Sequence, residues 1–208
     1  RLDSYSHHLV VVLDNDIDLS NVDFHSIPTF GGVLEGGHHT ITGLTLEDEG
    51  SNLGLFRYLQ STAVVRNLTV EGTISPSGSR NSIGGIAGNN AGKIINCHFD
   101  GKLTGADQLG GIAGINQLTG LIEKCTVNGT IIGNHFIGGI AGENPGVIRD
   151  CESNAEINTT SEQNSIEISD ITIDTLTQSE SANTVTDVGG ITGFSSVVVR
   201  NCSNHGSI

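Results

Sequence analysis

Tryptophan and methionine are missing from this chain of 208 residues, and aromatic rings are scarce, with 6 Phe and 2 Tyr. A globular core of that size ordinarily takes more of its volume from aromatic side chains. Their scarcity points instead to thin stacked layers filled by Ile, Val, Leu and Ala. Basic residues are few as well. Nine Lys and Arg against 23 Asp and Glu give a formal charge of −14, which excludes the basic footprint that nucleic acids and anionic membrane surfaces select. It fits a soluble, self-repelling surface protein or a binder of cations. No run of about 18 apolar residues and no signal peptide is found, so no membrane insertion is expected. No His is followed by Glu, so a zinc-peptidase His-Glu-x-x-His helix is absent from this sequence. The start at Arg1 without Met, and the end at Ile208 inside a repeat, lead us to expect a segment of a larger protein.

What the chain does have is a repeat. Gly84-Gly85-Ile86-Ala87-Gly88-Asn89-Asn90 returns as Gly110-Gly111-Ile112-Ala113-Gly114-Ile115-Asn116 and as Gly138-Gly139-Ile140-Ala141-Gly142-Glu143-Asn144. A looser copy is Gly189-Gly190-Ile191-Thr192-Gly193-Phe194-Ser195, and Gly54-Leu55-Phe56 is a degenerate first one. Gly84 to Gly110 spans 26 residues, Gly110 to Gly138 spans 28, and Gly138 to Gly189 spans 51, about two periods. A fixed period of this length marks a solenoid.

Each copy has a sequel: Ile94-Ile95-Asn96-Cys97, Ile122-Glu123-Lys124-Cys125, Ile148-Arg149-Asp150-Cys151 and Val199-Arg200-Asn201-Cys202. Inward Ile and inward Cys are compatible only if the residue before the Cys turns a corner in a left-handed conformation, which Asn and Asp tolerate best. The Gly-rich motif marks a second corner, where positive φ or close backbone approach excludes a side chain. The expected fold is all-β: a right-handed parallel β-helix with coils of about 26–28 residues and one inserted segment. As one domain over 1–208 it would comprise N-terminal strands or a cap at 1–50, regular coils at 51–157, an insertion at 158–187 and a last repeat at 188–208. The insertion reads as a loop excursion in preference to an extra coil. It lies in an acidic stretch without Lys or Arg between Asp150 and Val199.

Gly-Gly-Ile-Ala-Gly-x-Asn followed by Ile-x-Asn-Cys resembles the GLUG repeat over roughly residues 54–208. Asp16-Ile17-Asp18-Leu19-Ser20 and residues 30–46 resemble the segment that often precedes it. GLUG repeats occur in bacterial surface proteins, in candidate adhesins and in N-terminal regions of immunoglobulin-A-specific metallopeptidases. The resemblance implies an extracellular β-helix on the bacterial cell surface or in a secreted protein, with an adhesive, spacer or accessory role. It brings no catalytic residues, because the repeat is structural.

Each candidate site has a sharp and a plain reading. Cys97, Cys125, Cys151 and Cys202 invite disulfides or zinc. A column of thiols on parallel rungs has poor disulfide geometry and is linear where zinc needs a tetrahedron. We expect a ladder of buried reduced thiols. His38-His39 behind Gly36-Gly37 invites comparison with glycan-cleaving β-helices, but the paired carboxylates such an enzyme needs are not evident, and a turn histidine is the plainer reading. Asp14-x-Asp16-x-Asp18 imitates the start of a calcium loop, with Leu19 where Gly is needed and His25 where Glu is needed. The acidic 150–187 segment is another place for calcium or a cationic partner, or else a solvated loop. No catalytic residue, metal ligand or cofactor is therefore expected. The leading function is a non-catalytic adhesion or recognition module whose partner is a host or neighbouring-cell protein or glycan. The alternatives are a structural spacer or accessory domain of a larger secreted protein such as a metallopeptidase, and, last, a glycan-cleaving enzyme.

Overall fold

The computed structural model describes residues 3–47, 50–158 and 185–208. All regular elements among them are strands, paired in parallel into sheets of twelve, six and four strands. Together they form a β-solenoid of about 5 turns. Like residues stack over like: Leu34, Val65, Ile94, Ile122, Ile148 and Val199 form one column along the twelve-stranded sheet. The first five of these are buried. No single coil could bury such a residue by itself, so each depends on its neighbours.

The corner before each Cys is built as the sequence requires. Asn67, Asn96, Lys124, Asp150 and Asn201 have φ of 54, 51, 54, 56 and 51°, and His38 continues the series below them at 63°. These bends switch the side-chain alternation, so that Ile94 and Cys97 both point inward. The amides are also bonded along the axis: Asn96 Nδ2 donates to Asn67 Oδ1 at 2.8 Å, and Asn201 Nδ2 to Asp150 Oδ1 at 3.1 Å.

The second corner falls at the Gly-rich motif, where the chain passes from the four-stranded to the six-stranded sheet between Gly84 and Ala87, Gly110 and Ala113, and Gly138 and Ala141, and a left-handed residue stands two positions before its first glycine. These left-handed residues are Asn52, Ser82, Gln108, Phe136 and Asp187, with φ between 56 and 62°. The glycines after them are present because of close approach. A Cβ on Gly84 would lie 2.3 Å from the Ala87 carbonyl oxygen and 2.5 Å from Ala113 Cα, and one on Gly85 would lie 2.2 Å from the Phe99 ring. Any side chain there would force the facing walls apart.

Residues 27–46, read as N-terminal strands or a cap, are strands that stack directly on the first coil, with register shifts between Glu35 and His39 and between Ile41 and Leu44. Ile27–Phe30 pairs with Phe56–Leu59, and Val33–Leu46 with Val64–Ile74. At the other end, the coil carrying Gly189 is hydrogen-bonded directly to the coil carrying Gly138, through His135↔Thr186, Ala141↔Thr192 and Val147↔Val198. Of the insertion read at 158–187, residues 159–184, with most of its acidic residues, lie outside the described residues, while Thr186 and Asp187 stand in a strand paired with His135–Gly138.

Candidate ligand cleft on the six-stranded sheet

The last Asn of each repeat points into the core. Asn90, Asn116 and Asn144 are fully buried and bonded rung to rung. Asn90 Nδ2 donates to Asn116 Oδ1 at 2.8 Å, Asn116 Nδ2 to Asn144 Oδ1 at 2.7 Å, and Asn144 Nδ2 to Ser195 Oγ at 3.0 Å. Asn90 Oδ1 accepts from Gly92 N at 3.1 Å. A buried amide without partners would cost several kcal/mol, about 2–7 by transfer. The ladder removes that cost and pins the start of the following turn.

Over the first five coils that turn alternates in length. Two residues separate Phe30 from Val33, four separate Leu59 from Val64, two separate Asn90 from Lys93, four separate Asn116 from Leu121, and two separate Asn144 from Val147. The two long turns are built alike. In Gln60-Ser61-Thr62-Ala63, Ala63 N donates to Gln60 O at 2.9 Å; in Gln117-Leu118-Thr119-Gly120, Gly120 N donates to Gln117 O at 2.7 Å. Their threonine hydroxyls donate to the short turns beneath, Thr62 Oγ1 to Gly31 O at 2.8 Å and Thr119 Oγ1 to Ala91 O at 2.7 Å.

The long turns therefore stand on either side of the short Ala91-Gly92 turn. With strands about 4.8 Å apart, their walls are separated by about 10 Å. The result is a cleft of about 410 Å3 lined by Tyr58, Leu59, Gln60, Asn89, Ala91, Gln117, Leu118 and Thr119. Tyr58 and Asn89 are direct cross-strand neighbours. The Tyr58 side chain is 42% exposed and Leu118 is 75% exposed, so an aromatic ring and an aliphatic side chain border the opening. The amides are held in place: Gln60 Nε2 donates to Thr29 Oγ1 at 2.9 Å, Gln117 Nε2 to Asn89 Oδ1 at 2.7 Å, and Asn89 Nδ2 to Asn52 Oδ1. Among the described residues, the side-chain carbonyls of Gln60 and Gln117 accept no hydrogen bond. None of the eight lining residues is acidic or basic. The sequence reading missed this cleft. Its signal was the difference between the 26- and 28-residue periods, which arises at Leu118-Thr119.

The residues singled out from sequence lie elsewhere. All four cysteines are free; Cys97, Cys125 and Cys151 are buried. Burial drives the Cys125 thiol well above its ordinary value, and Cys151 is raised chiefly by its bond with Cys125. Cys125 N lies 3.5 Å from Cys151 Sγ, and the column packs within the apolar core. His38 occupies the left-handed corner, while His39 Nδ1 lies 3.0 Å from Asp16 Oδ1. That carboxylate also accepts from Thr40 N at 2.9 Å, and Asp18 Oδ1 accepts from Ser20 N at 2.8 Å. Donation from Thr40 N, then from His39, lowers the Asp16 pKa; the Ser20 hydroxyl and backbone N–H lower that of Asp18. Both aspartates are thus engaged by protein donors, and the structure does not bring them together with the cysteines or with His38.

The comparisons with known proteins agree with this architecture. The GLUG motif matches residues 79–104 and 105–132. Over 94 residues, 45% of this chain, the sequence is 32% identical to halomucin of Haloquadratum walsbyi, and the match spans 1% of that protein. A crystal structure of a candidate immunoglobulin A1 protease from Bacteroides ovatus superposes with a TM-score of 0.63 at 21% identity, covering 93% of this chain and 56% of the other. At that identity the likeness concerns the fold alone. The chain is a parallel β-solenoid in which residues 79–104 and 105–132 match the GLUG motif, with glycines closing its coils and asparagines laddered through its core.

Proposed function

We propose that this chain is a non-catalytic extracellular recognition module of a larger surface or secreted protein. The observation that carries the proposal is the cleft between the two long turns: a half-exposed tyrosine, an exposed leucine and three anchored amides set on a rigid stack of strands. Rigid presentation lowers the entropic cost of binding, and small-ligand clefts commonly combine apolar surface with a few fixed polar groups. The GLUG repeats and the similarity to a stretch of halomucin support an extracellular setting. Adhesion to a host or neighbouring cell is the biological role we assign.

The test is binding of the purified 208-residue chain to a broad panel of matrix proteins and glycans. Saturable binding of at least one is expected. A folded chain that binds none would shift the assignment to a structural spacer, a reading favoured by the unbroken register from residue 27 to the last coil. A spacer would also tolerate a change in the number of repeats without loss of function in its parent protein.

A further inference from the structure

The composition of the cleft specifies its ligand more narrowly than recognition in general. We infer that the cleft between Gln60-Ser61-Thr62-Ala63 and Gln117-Leu118-Thr119-Gly120 binds an uncharged glycan. This rests on the reading of the chain as a recognition module and names the site and ligand class for it.

Four observations lead there. The first is the polar inventory. The cleft offers amide groups at Gln60, Asn89 and Gln117 and a hydroxyl at Thr119, so donors and acceptors lie side by side. Each sugar hydroxyl is likewise both donor and acceptor, and an amide can serve adjacent hydroxyls through its N–H and carbonyl. The second is preorganisation: the amides are fixed by bonds to Thr29, Asn52 and one another, leaving the carbonyls of Gln60 and Gln117 available among the described residues. The third is the apolar border. The face of a pyranose carries C–H groups that pack against a ring such as Tyr58, while the phenol edge remains free for a hydrogen bond.

The fourth observation is charge. An acidic glycan would require basic groups to offset the chain's formal −14, and none lines the cleft. A peptide is disfavoured for a different reason. Extended peptides commonly add to an open sheet edge, whereas the strands bearing Tyr58, Asn89 and Ile115 are interior to the six-stranded sheet, each paired on both sides. The volume of about 410 Å3 falls within the ~300–1,000 Å3 of typical ligand clefts.

The experiment is a nuclear magnetic resonance titration of the 208-residue chain. The probes are uncharged oligosaccharides of glucose, galactose, mannose or N-acetylglucosamine, with uronic-acid-containing oligosaccharides and a peptide library alongside. We expect at least one neutral oligosaccharide to saturate and to shift the side-chain amide signals of Gln60, Asn89 and Gln117. Tyr58→Ala should weaken that binding about tenfold or more with the melting temperature retained, since the ring is half-exposed; Tyr58→Phe should keep most of it. Deleting Leu118 and Thr119 gives this turn the short length found in its neighbours, and should abolish binding. Should that deletion unfold the chain, Gln117→Ala is the alternative and should weaken binding without unfolding.

The inference is overturned if no neutral oligosaccharide shifts those amides, if Tyr58→Ala binds like the parent, or if acidic glycans or peptides occupy the cleft in preference. Binding that persists in Tyr58→Ala would keep the recognition reading and remove this site. A panel on which nothing binds would remove both.

Discussion

The lower and upper coils stack strand on strand but fill the stack with different chemistry. One inward column begins as Phe30 and Leu59 and continues as Asn90, Asn116, Asn144 and Ser195. Another runs Ile41, Val70, Phe99, Val127, Ser153 and Asn204. Both pass from apolar to polar along the axis. Within these columns the lower coils pack by contact, and the Phe30 and Phe56 rings lie 5.2 Å apart. The upper coils are held by directional amide bonds as well. Apolar contact is non-directional, so Phe can stack on Leu. An amide bonded above and below requires a matching residue on the next rung. This difference explains why residues 27–74 belong to the solenoid without displaying the Gly-Gly-Ile-Ala-Gly-x-Asn motif, whereas the coils after Gly84 repeat it.

Substitutions in the two regions can break or sharpen that contrast. The largest effect is expected where the two chemistries share a requirement, the fully buried Ile112 and Ile140. Ile112→Asp or Ile140→Asp places an unpaired charge in the core and should cost about 3–5 kcal/mol or more. Thermal melting followed by circular dichroism should show loss of the adjoining coils. A variant melting like the parent would mean these side chains reach water.

Next in size is the amide ladder. Asn116→Leu leaves Asn90 Nδ2 and Asn144 Oδ1 without their rung partners, at about 1–3 kcal/mol for each orphaned group. Replacing Asn90, Asn116 and Asn144 together by Leu copies the lower column into the upper coils. Because no amide is then stranded beside an apolar neighbour, urea unfolding should show the triple variant losing less than three times the single loss. A strictly additive loss would indicate that the bonds to the turns, and not those between rungs, carry the stability.

A smaller effect separates the corners by pH. Glu35 in the lower coils accepts from Asn67 Nδ2 at 2.8 Å, Gly37 N at 3.0 Å and Arg66 Nε at 2.6 Å. Asn67 is the foremost cause of its lowered pKa, with Gly37 and Arg66 adding to it. A depressed folded-state pKa stabilises the fold above the ordinary value of 4.5, and that stabilisation disappears as the pH falls through the folded value. Glu35→Gln should therefore lower the melting temperature at neutral pH and converge with the parent in acid. Equal differences at both pH values would contradict the role of the carboxylate.

The smallest effect is expected at Glu123 and Arg149. These are cross-strand partners, with Arg149 Nη2 2.9 Å from Glu123 Oε2, and Arg149 has Arg200 above it. A double-mutant cycle should give a coupling of about 0.2–1 kcal/mol that shrinks with added salt. Coupling unchanged by salt would point to packing of the side chains instead of charge.

Much of this fold was legible in the sequence because stacking forces periodicity onto the chain. The 26- and 28-residue spacings gave the coils. The invariant offset from Ile to Cys gave the inward columns, and Asn, Lys or Asp before the Cys gave the left-handed corner. The left-handed residues just before the Gly-rich corner escaped the reading because Ser82, Gln108, Phe136 and Asp187 share no propensity for positive φ; the surrounding stack imposes it. Residues 1–50 were read only as strands or a cap, without a coil assignment, because apolar stacking leaves no fixed motif. The cleft was invisible for a related reason. Tyr58, Asn89 and Gln117 lie far apart in the chain, and each reads as an ordinary polar or turn residue.

The amino-acid sequence by itself determined the repeating coil, its buried Ile and Cys columns, and the corner where Asn turns the chain, because each is a local rule enforced once per period. The tertiary structure decided what no single period contains: which turns stand beside which, that long ones flank a short one, and that Tyr58 therefore faces Gln117 across an open cleft. The physical reason is that parallel stacking sets residues from different coils about 4.8 Å apart per rung, so a surface site is assembled across the repeats.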